Sequence, residues 1–104
     1  MTRTMADRGR GYVYVEMTIR NPEQFREYMA LWASALASAG GRYIVGGTRP
    51  EVLEGDFKAD RVAIVEFDTP DRAKKFYHSA TCQKAQEKRA LAASFKMLLL
   101  EGVS

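Results

Sequence analysis

Two glutamates carry the clearest hint of chemistry in this sequence. Glu16 lies in the alternating run Tyr12 to Ile19, and Glu66 lies in the run Arg61 to Phe67. In the first run Val13, Val15, Met17 and Ile19 form one row; in the second Ala63, Val65 and Phe67 do the same. These apolar rows must meet a core, so the two-residue period of a strand sends both glutamates to the opposite sheet face. If the strands are neighbours, two carboxylates share a face with Tyr12 and Tyr14. Apolar surroundings raise a carboxyl pKa, and one of a pair so placed can act as acid or base. Arg42, on the following strand, is positioned to neutralise one of them. The competing reading makes the same groups a polar plug or ion pair between subunits.

Other candidate motifs are weaker. Gly41 to Thr48 reads G-x-x-x-x-G-G-T, one residue from a phosphate-binding loop, but Gly47 stands where a lysine must reach the phosphates. Pro50 follows where a helix should aim its amides at the anion, so these glycines read as turn and cap residues. His78 has Lys74, Lys75 and Asp71 on the turns before it, which marks a solvated helix face rather than a haem ligand or a general base. Cys82 has no base beside it in sequence and reads as a small buried residue. An RNA platform would need aromatic and glycine residues in the third strand, and RVAIVEF has one aromatic, on the core-facing row.

Bulk composition narrows the remaining classes. Lys and Arg number 16 against 13 Asp and Glu, and the resulting charge of +3 is a weak pull on nucleic acid. One cysteine and one histidine exclude a disulfide framework and a cysteine or histidine metal cluster, so neither a metal nor a cofactor is expected. Residues 1–11 contain no apolar run and are expected to form a disordered polar tail before a single domain over 12–104. Neither a secretion signal nor a membrane anchor is apparent, and the expected location is the cytoplasm.

The elements that must position these residues follow from local signals. After the first strand, Asn21-Pro22 supplies an N-cap and a proline at N1. Phe25, Tyr28, Met29, Trp32, Ala35, Leu36 and Ala39 then recur at helical spacing, and Gly40-Gly41 stops the helix. A short strand Arg42 to Val45, a turn Gly46 to Pro50 and a return segment Glu51 to Glu54 are expected before the strand Arg61 to Phe67. Thr69-Pro70 repeats the cap and opens a helix with Ala73, Phe76, Tyr77 and Ala80 on its apolar side. A third helical stretch, Thr81 to Ala93, carries Cys82, Ala85 and Ala92 inward, and Phe95 to Glu101 closes the chain as a strand. The order β-α-β-β-α-β predicts an α+β sandwich of ferredoxin-like type, helices on one face only. Leu98 and Leu100 share one face of the last strand and Phe95, Met97 and Leu99 the other. That strand is apolar on both faces, and a second apolar face calls for a second copy of the chain.

Taken together, Y-V-x-V-E-x-x-x-x-x-P-E-x-F-x-x-Y, G-G-R-Y-x-V-x-G-G, L-E-G, R-x-x-I-V-E-F, A-x-x-F-Y-x-S and a final E-G resemble a bacterial family called domain of unknown function thirteen-thirty. It is a branch of the dimeric α/β-barrel superfamily, and the resemblance runs from Tyr12 to Gly102. It implies a ferredoxin-like protomer whose sheet packs on its twin's. The family has no established activity, and more distant relatives include cofactor-free monooxygenases of phenolic polyketides and haem-degrading enzymes. Where the family usually has S-P-E-Y-Q, this chain has Ser79-Ala80-Thr81-Cys82-Gln83, so no role carried by that tyrosine transfers.

Two functions remain. One is a homodimer that binds a small apolar or aromatic metabolite, in the form of a binder or a cofactor-free enzyme. Its pocket lies either at the barrel axis, with Tyr14, Glu16, Arg42 and Glu66, or between sheet and helices, near Tyr28, Trp32 and Tyr77. The other is a non-catalytic structural or interaction dimer.

Overall fold

The computed structural model describes residues 9–87 and 92–103. Strand β1 (Gly11–Ile19) leads into helix α1 (Pro22–Ser38), then β2 (Arg42–Thr48), β3 (Arg61–Phe67), α2 (Pro70–His78), α3 (Ala80–Gln86) and β4 (Ala93–Glu101). The strands form one antiparallel sheet in the order β2-β3-β1-β4. Its central strands are β1 and β3, and both candidate glutamates sit on them.

Each helix begins as its sequence dictates. The Asn21 side chain accepts from the Gln24 amide, Thr69 accepts from the Arg72 amide, and Ser79 accepts from the Cys82 amide. Prolines stand at the first helical position of α1 and α2, where a missing N–H costs nothing. The helices bury Tyr28, Trp32, Leu36, Ala73, Phe76 and Cys82 against Val13, Val15, Met17, Ala63, Val65 and Phe67. Every strand residue in that core belongs to the apolar row of β1 or β3, so the helices occupy a single face.

Three boundaries differ from the sequence reading. Strand β2 continues to Thr48 through the glycines assigned to a turn, and its pairing with β3 shifts between Tyr43 and Val45 and again before Thr48. Gly47, at φ 69°, takes up an irregularity inside the strand rather than reversing the chain. The return segment Glu51 to Glu54 forms no strand and leaves Leu53 91% exposed. The third helix ends at Gln86 instead of Ala93; Ala93 opens β4, and positions 88–91 of the expected helix lie outside the described residues. Positions 1–8 of the expected polar tail also lie outside them. Gly9 to Gly11 do not behave as tail: Gly11 is the first residue of β1, and the Arg10 carbonyl accepts from the Gly102 amide at 2.8 Å.

The stop of α1 shows two glycines required for different reasons. The Gly41 amide donates to Leu36 O and the Gly40 amide to Ala37 O, the paired bonds of a Schellman turn. Gly40 has φ 79° with open space around it, whereas a Cβ on Gly41 would lie 2.3 Å from Leu36 Cδ1 and 2.8 Å from the Phe67 ring. Gly40→Ala should therefore cost about 1–2 kcal/mol through backbone strain, and Gly40→Asn less, because asparagine tolerates the left-handed region. Gly41→Ala should cost about 1–3 kcal/mol by overpacking, and Gly41→Asn more. Urea unfolding of the four variants checks this; rescue by asparagine at position 41 would contradict the steric account.

Candidate functional site

On the face away from the helices, the register of β1 decides which polar groups can meet. Tyr12 pairs with Glu66, and Glu16 pairs with Val62. The two glutamates do share this face, but they stand four residues apart along the sheet, about 13 Å at roughly 3.3 Å per residue. The expected carboxylate pair is therefore not a pair. An antiparallel register sets such spacings, and neither strand's own sequence reveals it.

Glu66 has different partners. The Tyr12 hydroxyl donates to Glu66 Oε2 at 2.8 Å, and Arg42 Nε donates to Glu66 Oε1 at 2.7 Å. Arg10 extends the cluster by an ion pair with Asp68 at 3.1 Å, and Arg42 approaches the same Asp68 oxygen at 3.8 Å. The hydrogen bond from Tyr12 is the main reason that the Glu66 carboxyl lies below the usual carboxylate range, with Arg42 adding to it. The same bond raises the Tyr12 phenol. A raised-pKa acid at Glu66 is thus corrected to an ionised, neutralised carboxylate. Tyr14 lies between Ile64 and Leu98 on this face, its phenol pushed up by burial and then by the charge of Glu16. Glu16 lines a separate cleft of about 360 Å³ beneath residues 56–59, with Thr18, Phe57, Ser94 and Lys96.

The other predicted site residues lie on the helix side. Tyr28 is buried, its ring 5.0 Å from that of Phe95. Trp32 is 4% exposed and packs between Tyr43 and Phe76, at 5.9 and 5.4 Å between ring centroids. Its Nε1–H is buried with no hydrogen-bond partner among the described residues. Trp32, Tyr28, Met29 and Tyr43 close over Val15 and Ala63 to form a narrow apolar cleft, whose remaining wall includes Phe95 and Met97. Phe95 and Met97 also line a larger groove of about 360 Å³ between α2 and β4. Tyr77 stands in that groove with Lys74 and His78 beside it. Tyr28 and Tyr77 therefore belong to two hollows that share a wall, while Tyr14, Glu16, Arg42 and Glu66 lie on the opposite face.

Sequence reading missed Tyr12 and Asp68 as members of the Glu66 cluster, whereas His78 is exposed on α2 as its sequence neighbours indicated. Tyr12 shares the face of Glu66 by alternation, but only the register of β1 on β3 sets it opposite Glu66. Nothing in the sequence marks the groove, which depends on how far α2 stands from the edge strand. Cys82 is buried, and Gln86 Nε2 approaches its sulfur at 3.5 Å. No described helix is long and apolar enough to cross a membrane.

Comparison with known proteins places this geometry in context. A family model described as Domain of unknown function (DUF1330) matches residues 10–103. No curated protein matches the sequence. Among solved structures, a protein of unknown function from Rhodopseudomonas palustris is similar with a TM-score of 0.74 at 16% identity, over 92% of this chain and 84% of that one. A dimeric ferredoxin-like protein of unknown function from Jannaschia sp. CCS1 gives 0.68 at 15% identity, over 89% and 99%. SnoaB, a cofactor-independent oxygenase from Streptomyces nogalater, gives 0.65 at 14% identity, over 92% and 95%. At these identities the shared property is the ferredoxin-like fold.

The Glu66 cluster has a defined signature in acid. A carboxyl lowered in the folded state contributes stability above its unfolded pKa, and that contribution disappears as pH falls through the lowered folded value. Carbon-detected NMR titration should place Glu66 below the ordinary carboxylate range, and Tyr12→Phe should move it upward by removing the main cause. A wild-type Glu66 that titrates at or above the ordinary range would overturn the neutralised cluster.

Proposed function

The chain belongs to the family described as Domain of unknown function (DUF1330), and from that premise we propose a homodimer that binds a small, flat, largely apolar metabolite in each subunit. The ligand occupies the groove between α2 and β4. One observation carries this reading: a groove whose sheet side is apolar, with Val13, Phe95, Met97 and Leu99, and whose helix side carries Lys74, Tyr77 and His78. A groove of about 360 Å³ falls in the size range of small-molecule sites, roughly 300–1,000 Å³. An enzymatic form, in which the bound molecule reacts without a cofactor, draws support from the fold shared with SnoaB.

The opposite face serves the dimer in this reading. It presents Tyr12, Tyr14 and Ile64 beside Leu98 and Leu100, which are 54% and 45% exposed in the single chain. Several structures of this fold are described as dimeric. The neutralised Glu66 cluster on this face fits burial against a second copy better than it fits acid–base work.

Two measurements separate these parts. Sedimentation should give a dimer at tens of micromolar, and Leu100→Asp, on the open face and outside the groove lining, should give a folded monomer, because a buried charge without a partner is costly. A monomeric wild type would overturn the dimer. For the ligand site, a thermal-shift screen should cover small aromatic metabolites, haem and common anions. A ligand at a hundred times its dissociation constant adds about 2.7 kcal/mol. Leu99→Trp, which fills the groove from its exposed rim, should abolish that shift while leaving the unliganded melting temperature within a few degrees. Silence across the panel would favour a purely structural dimer.

A further inference from the structure

We infer that the molecule held in the α2–β4 groove is an anion, a flat apolar carboxylate whose charged end sits between Lys74 and His78. The inference rests on the groove reading above and adds the chemical class. Three side chains supply the polar atoms of the groove: Lys74, Tyr77 and His78. All three can donate a hydrogen bond, and no aspartate or glutamate lines the groove. Among the described residues, neither Lys74 nor His78 makes a hydrogen bond or ion pair. They stand four residues apart on α2 and so project from one side of the helix, a turn apart. The Tyr77 and His78 rings meet edge to face at 5.1 Å, which steadies the imidazole at the mouth. Across from these donors the groove is lined by Val13, Phe95, Met97 and Leu99. Donors on the helix side and hydrocarbon on the sheet side match a carboxylate head on an apolar body.

The cleft beneath residues 56–59 lacks this imbalance, because Glu16 and Asp56 offset Lys58 and Lys96. The cleft beside Gly46 and Gly47 is also cationic, with Arg26 and Arg61 in its lining, and Arg61 there donates to the Gly47 carbonyl at 3.0 Å. An experiment must therefore place the anion at Lys74 and His78. A basic side chain in the last turn of a helix also complements the helix dipole, so His78, like Lys75, has a reason to be there without any ligand. The test must therefore read ligand charge and not helix stability.

Isothermal titration calorimetry with the full chain compares 2-naphthoate with 2-naphthamide, which share a ring system and differ in charge. Solvent-exposed charge pairs are individually weak, so a preference of about five- to tenfold for the naphthoate is expected. Lys74→Gln with His78→Gln, both at exposed helix positions, should bring the ratio to about one and leave naphthamide affinity unchanged. Raising the salt concentration should weaken the naphthoate alone. Equal wild-type affinities would overturn the anion inference and leave the groove reading intact, as would a preference that survives the double substitution. Failure of both compounds to bind would overturn the groove reading and this inference together.

Discussion

Strand β1 is hydrogen-bonded on both sides, to β3 over Gly11 to Met17 and to β4 over its whole length, and this double register constrains everything else in the molecule. A strand paired on both edges can send its side chains in only two directions. Val13, Val15 and Met17 therefore go to the helices, and Tyr12, Tyr14 and Glu16 go to the other face. A slip of one residue would exchange the two rows and put Glu16 beneath α1. The same register aligns Val13, Val15 and Met17 with Leu99, Met97 and Phe95 of β4. Of those partners, Phe95 and Met97 become the wall between the Trp32 cleft and the groove under α2. A single pairing thus places both the proposed dimer face and the proposed ligand site.

Much of this was legible from local chemistry. Asn21-Pro22 and Thr69-Pro70 announce helix starts, because only certain residues can satisfy the first amides and tolerate a missing one. Alternation assigns the faces of β1 and β3 correctly and separates Leu98 and Leu100 from Phe95, Met97 and Leu99, since the period of a strand leaves no freedom. Which of those two rows meets the helices is decided only by pairing with β1. What failed was information held between segments. Two glutamates on one face look like a pair until the antiparallel register sets them four residues apart and gives Glu66 to Tyr12 and Arg42. Strand β2 deceived for a related reason. Gly46-Gly47 has the composition of a turn, but pairing with β3 carries the strand through both residues as an irregularity. The third helix was read too long because alanines suit a helix and a buried strand start equally well; Ala93 pairs with Ile19 instead.

Charge balance distinguishes the two faces more sharply than hydrophobicity does, since both carry aromatic and aliphatic groups. On the open face, Arg42 and Arg10 are matched by Glu66 and Asp68, and Tyr12 occupies the second carboxylate oxygen of Glu66. A cluster of two cations and two anions, already hydrogen-bonded, loses little when another surface covers it, whereas an uncompensated charge there would resist burial. On the helix side, Lys74 and His78 face a groove with no acid in its lining. An imbalance of that kind is tolerable at a wet rim and becomes useful when an anion arrives. The proposals of a second copy on the open face and of a small anion in the groove therefore rest on one physical criterion. A surface whose charges are already matched can be covered by a copy at little cost, whereas an unmatched basic group is balanced only when an anion arrives.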